Sequence, residues 1–194
     1  MNDMPEKFKF FISEFTEMID RNGGSETNVF EEGKKKLCQL IEKDDWLPER
    51  YAQPDIHFYQ QYLLYADPQD RFSVVSFVWG PGQKTPVHNH LVWALIGMLR
   101  GSELSERFEY AADGKSLRSC PVESMKPGDV GAISPTLGDI HKVSNFYDDR
   151  VSISVHVYGG NIGRISRHVF VPETGEKKPF VSGYANERNI SATA

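Results

Sequence analysis

The sequence predicts a mainly β fold, a small double-sheet barrel or sandwich with α-helices packed outside it. Two observations predict this class. The hydrophobic period changes from 3.6 to 2 at about residue 56. Beyond that point, short β-rich runs are separated by turn signals at Gly80-Pro81-Gly82, Asp113-Gly114, Pro127-Gly128-Asp129 and Gly159-Gly160. The 194-residue length suits one domain. The expected organisation is a helical segment over 1–50, a β-barrel over 51–185 and a flexible tail over 186–194.

The elements follow in order. Phe8, Phe11, Ile12, Phe15 and Ile19 lie at helical spacing and form one apolar stripe. Asn22-Gly23-Gly24 stops that helix. A second helix is expected from near Thr27 to about Lys43, and Leu47-Pro48 closes the region. Arg71–Trp79 reads as a strand, Val87–Leu99 as a second β region, and Leu104–Tyr110 as the first arm of a hairpin turning at Asp113-Gly114. Val151–Tyr158 and Ser166–Val171 are further strands, the last bounded by Pro172. The polar run from Asn186 onward is expected to fray.

Charge and composition narrow the function classes. Lys and Arg total 22 and Asp and Glu 27, a net charge of −5. With no basic block, nucleic acid and anionic membrane are poor partners. The longest apolar run, Leu91–Leu99, is too short for a membrane span, which takes about 20 residues. No secretory signal pattern opens the chain, so the expected compartment is the cytoplasm. Two cysteines, Cys38 and Cys120, build neither a disulfide framework nor a Cys-rich zinc site. Six histidines are therefore the side chains to follow.

His88-Asn89-His90 is the first sharp feature. On a strand, residues two apart share a face, so the two imidazoles would sit side by side as metal ligands must. Val151–Tyr158 is the second. Its alternation puts Val151, Ile153, Val155 and Val157 on one face and Ser152, Ser154, His156 and Tyr158 on the other. Such a polar face belongs to solvent or to a barrel lumen. In a lumen, Ser154, His156 and Tyr158 can relay hydrogen bonds along one line.

The spacing around these features resembles the two motifs of the cupins. Gly82, His88, His90, Ala94 and Gly101 match the first, with Ala94 where a Glu is usual. Gly128-Asp129, Pro135, Gly138, His141 and Asn145 match the second, with two gaps each one residue longer than usual. The resemblance implies a single cupin barrel with His88, His90 and His141 as metal ligands. Imidazole ligands accept zinc, copper, iron or nickel, and three of them leave positions open for chemistry.

With Ser154, His156 and Tyr158 added, Tyr59 to Tyr184 resembles the thiol dioxygenases of the cysteine dioxygenase family. That implies Fe(II) on the three histidines, a small thiol and O₂ as reactants, a sulfinate as product, and a Ser154-His156-Tyr158 triad beside the metal. Animal-type members carry an Arg that binds the substrate carboxylate where this chain has Gln61, and a cross-linking Cys where it has Ala94. Both departures resemble a bacterial Gln-type branch whose best-known members oxidise 3-mercaptopropionate. In that branch a later Arg holds the carboxylate. It matches Arg167, with Arg164 as the nearby competitor. A cysteine dioxygenase of relaxed choice and a non-catalytic metal-binding cupin are the alternatives. His57 and His168 are expected to be structural or at the surface, and oligomeric state is left open.

Overall fold

The computed structural model describes residues 3–188. Helix α1 (Glu6–Asn22) buries Phe8, Phe11, Ile12, Phe15, Met18 and Ile19 along the stripe read from the sequence. Gly23 closes it in the left-handed region at φ 60°, a conformation that costs a residue with a Cβ. The second helix is continuous but not uniform. It runs through α2 (Glu26–Asn28), a π-helical segment (Val29–Gly33) and α3 (Lys34–Ile41).

Strands follow as β1 (Gln60–Ala66), β2 (Ser73–Trp79), β3 (Val87–His88), β4 (Ala94–Arg100), β5 (Glu103–Tyr110) and β6 (Leu117–Met125). They continue as β7 (Val130–Ile133), β8 (His141–Asn145), β9 (Ser152–Tyr158), β10 (Arg167–Phe170) and β11 (Lys177–Phe180), before the short helix α4 (Ala185–Arg188). One antiparallel sheet has the order β1-β2-β9-β4-β7, the other β11-β10-β3-β8-β5-β6. The fold is therefore mainly β, with two sheets and helices outside them, as the period change predicts. Among the described residues no helix is long and apolar enough to cross a membrane. Residues 189–194 of the expected tail lie outside the described residues. Asn186, at its start, pairs with both the N–H and the C=O of Leu63.

Two apolar clusters divide the interior. One joins the helices to the outer face of the first sheet, and includes Phe8, Phe15, Leu37, Val74, Val78, Leu95, Ile153, Val155 and Val157. The other lies between the sheets, with Val75, Phe77, Trp79, Ile96, Val143, Tyr158 and Tyr184. The helices thus cover the apolar face of β9, and its polar face turns inward. Every residue of β9 is buried. The choice left open by its alternation is settled in favour of the lumen.

Continuity of β4 into β5 depends on Gly101. Its φ is 75°, and a Cβ there would lie 2.3 Å from Ser152 Oγ. That hydroxyl bridges the backbone of Ser102 and the side chain of Asn145, so it has no free direction to move. Gly101→Ala combines left-handed strain with a steric clash and is expected to cost about 2–3 kcal/mol. A thermal midpoint lowered by roughly 5–10 °C in a melting experiment would agree. An unchanged midpoint would contradict it.

Candidate metal centre

Two strand ends and a turn bring the histidines together. His88 ends β3 and is the register partner of His141, the first residue of β8. His90 lies just beyond β3, where the chain leaves the second sheet to begin β4 in the first. The single β region expected over Val87–Leu99 is therefore two strands in different sheets, and His90 is not on a strand. Its position comes from a clamp instead. The Asp139 carboxylate accepts the N–H of His90 (3.0 Å to each oxygen) and of Leu91 (2.8 Å). It also meets His90 Nδ1 at 2.9 Å. Leu91 sits at φ 62°, strain that this clamp sustains.

The three imidazoles converge. Their ring centroids are 4.8–4.9 Å apart, and one ligand atom from each lies within 4.8 Å of the others. Each Nδ1 is engaged elsewhere: His88 with the Pro86 carbonyl at 3.0 Å, His90 with Asp139, and His141 with Ser105 Oγ at 3.5 Å. Nε2 is left to face the common centre. Burial pushes His88 down to about 4 and holds His90 and His141 well below the usual imidazole range. Neutral imidazoles are the metal-binding form, so the donor set fits a divalent transition metal.

Beside this group runs a buried polar line. Ser154 Oγ lies 2.9 Å from His156 Nε2, and His156 Nδ1 lies 2.9 Å from the Tyr158 hydroxyl. The Tyr158 ring stacks on His90 with centroids 5.6 Å apart. Burial pushes His156 down to about 3 and Tyr158 above the ordinary phenol range. Ala94 is the register partner of Tyr158. The position that would carry a cross-linking Cys thus faces that tyrosine, and here it holds a methyl group.

A cavity of about 190 Å³ opens next to the histidines, lined in part by Tyr59, Gln61, His88, Arg167, Phe180 and Ser182. Arg167 is buried. It donates to Ser182 Oγ at 2.6 Å and stacks over Phe180 at 4.7 Å. Its Nε has no hydrogen-bond partner among the described residues, and burial lowers its pKa. Gln61 donates to the Gly183 carbonyl at 2.9 Å. Arg164, the competitor, is exposed in a 3₁₀ turn and does not line this cavity. His57 is exposed and His168 half-buried, and neither belongs to the three-His group.

Residues 26–169 match the family described as cysteine dioxygenase type I. The chain belongs to the cysteine dioxygenase family. This is a family of metal-dependent thiol dioxygenases on the cupin fold, and the three-His group lies within the matched residues. Solved structures match parts of this chain at low identity. A Klebsiella pneumoniae protein with a double-stranded β-helix domain is 19% identical, with a TM-score of 0.47 over 62% of this chain and 95% of that one. A cupin domain from Bordetella pertussis is 18% identical, with a TM-score of 0.38 over 52% of this chain and 92% of that one.

Two residues of the site carry no signal in the sequence pattern. Asp139 sits within a matched motif but is not marked as a clamp. Glu103, fully buried, accepts from Ser154 Oγ at 2.8 Å. Asp139→Asn keeps the size of the side chain and removes its charge. It is expected to weaken metal binding by about 10–100-fold, measured by competition with a chelator. Unchanged affinity would mean that the clamp does not orient His90.

Proposed function

We propose that this member of the family is an iron(II)-dependent thiol dioxygenase for a small mercapto acid, 3-mercaptopropionate above all, which it converts to a sulfinate. The observation that carries the reading is the shared cavity. One lining residue, His88, belongs to the three-His group, and another, Arg167, is a buried guanidinium with an unpartnered Nε. A ligand with a soft donor at one end and a carboxylate at the other matches that pair. Among the described residues no Asp or Glu lines the cavity, so no carboxylate there offsets the charge of the ammonium group that distinguishes cysteine.

His88, His90 and His141 would hold the metal. Bound iron(II) would supply a redox-active centre with open coordination positions, the requirement for joining a thiol to O₂. Arg167 would bind the carboxylate through parallel hydrogen bonds, with Gln61 at its side. This fixes the sulfur end next to the histidines and gives the proximity contribution to rate. Ser154, His156 and Tyr158 would manage protons at the sulfur end. The aromatic wall of Tyr59, Phe77 and Phe180 would keep the cavity dry. The thiol supplies the electrons, so RS⁻ plus O₂ gives RSO₂⁻ without an external reductant.

A substrate panel tests the assignment. The iron-loaded chain is expected to give its highest kcat/KM with 3-mercaptopropionate, a lower value with cysteine, and the lowest with cysteamine, which lacks the carboxylate. A preference for cysteine would instead make the chain a cysteine dioxygenase.

A further inference from the structure

Glu103 extends the polar line beyond Ser154. It lies on β5 in the second sheet, while its partner lies on β9 in the first, so the contact spans the barrel. The carboxyl is completely buried, and its Oε1 has no hydrogen-bond partner among the described residues. The Trp79 indole N–H points at the same place, 3.2 Å from Ser154 Oγ. Neighbours across the sheet are Met125 and Asn145, neither of them titratable. The titratable groups facing Glu103 are His156 and Tyr158, both reached along the chain of hydrogen bonds.

We propose that Glu103 is the proton-accepting end of a four-member chain, Tyr158–His156–Ser154–Glu103, which takes the proton of the substrate thiol out of the site. This rests on the thiol chemistry proposed above. Each contact in the chain is 2.8–2.9 Å. The chain has two self-consistent directions. With Glu103 ionised, Ser154 donates to Glu103, His156 Nε2–H donates to Ser154, and Tyr158 donates to His156 Nδ1. The Tyr158 oxygen then offers a lone pair towards the metal centre. With Glu103 protonated, every bond reverses and Tyr158 presents its O–H instead. Trp79 donates to Ser154 Oγ in both.

Passage from the first state to the second is a set of balanced hops. The S–H bond breaks and its proton joins the Tyr158 oxygen. The proton that Tyr158 held passes to His156 Nδ1. The proton on His156 Nε2 passes to Ser154 Oγ, and the Ser154 proton forms an O–H bond on Glu103 Oε2. Negative charge moves from Glu103 to sulfur, and no other residue ends with a changed charge. That economy matters because the middle members cannot store charge. Burial disfavours imidazolium at His156 and phenolate at Tyr158. The same burial brings Glu103 up to about 7, where it can exchange a proton near neutral pH. Its unpartnered Oε1 adds to the cost of the ionised form. After product leaves, the reverse hops return the proton to water entering the cavity. Glu103 is thus a positioning residue that acts through Ser154.

The direct readout is the tautomer of His156. ¹⁵N NMR of the full-length chain, metal-free or zinc-loaded so that it stays diamagnetic, distinguishes Nδ1–H from Nε2–H. The signal is assigned by its loss in His156→Asn. The expected result is Nδ1–H at pH 5 and Nε2–H at pH 9, with a midpoint near 7 set by Glu103. Glu103→Gln is expected to hold one tautomer throughout. When loaded with iron, it should lose about a hundredfold in kcat/KM and the matching step in its pH profile. Should that variant fail to fold, Ser154→Ala retains Glu103 but cuts the chain and should also abolish the tautomer change. A His156 tautomer that stays constant in the unsubstituted chain overturns the proposal, as does a midpoint unmoved by either substitution. The NMR result requires neither iron nor turnover, so it is separable from a failure of thiol oxidation itself.

Discussion

Replacing His141 by Ala is expected to abolish thiol-dependent O₂ uptake while leaving the barrel folded. His141 opens β8, and its register partner is His88 on β3, so its loss removes one corner of the triangle without breaking a strand pair. Two imidazoles remain, His88 and His90. Losing an outer partner of a metal ligand already costs about 10–100-fold in affinity. Losing a ligand itself should exceed that range. The metal-free fold has little reason to depend on this imidazole, which is buried and held neutral against its own solvation preference. Metal analysis after dialysis should show little bound metal, and a melting curve should remain cooperative. Full metal occupancy with retained activity would show that the three-His group is not the centre.

Arg167→Ala is expected to separate substrates by charge. The guanidinium is buried on β10 and shares the cavity with His88. Truncating one side of a buried, hydrogen-bonded charge pair costs about 2–5 kcal/mol, or roughly 30-fold and upward. The KM for 3-mercaptopropionate should rise by that factor, while that for cysteamine should change little. Arg167→Lys keeps the charge but not the planar fork, so it should restore only part of the affinity. The Ser182 bond and the stacking on Phe180 are lost in the Ala variant too, which makes cysteamine the needed internal control. Equal changes for both thiols would remove Arg167 from carboxylate binding.

Much of this site is legible in the sequence wherever a local period carries it. The α1 stripe and the two faces of β9 are such cases: one period fixes which side chains share a face. His88, His90 and His141 are legible through motif spacing, and they do converge. The reason first given for the His88–His90 pair does not hold, however. Their approach comes from a turn clamped by Asp139, which is 49 residues from His90 along the chain. Glu103 is hidden for the same kind of reason. The hairpin arm reads from the sequence as Leu104–Tyr110 and stops short of Glu103, which is buried where Ser154, 51 residues away, meets it across the barrel. Local patterning orients a side chain relative to its own element. It says nothing about which distant element will stand opposite.

The central proposal is that a group of three imidazoles, one of which shares a cavity with a guanidinium, makes a thiol dioxygenase that transfers both atoms of O₂ to sulfur. It is tested most directly by an oxygen electrode and product analysis on the chain loaded with iron(II) under anaerobic conditions. Adding 3-mercaptopropionate in the presence of O₂ should start oxygen uptake, with one sulfinate formed for each O₂ consumed. Full iron occupancy without thiol-dependent uptake, or uptake that yields disulfide and peroxide in place of sulfinate, would contradict it.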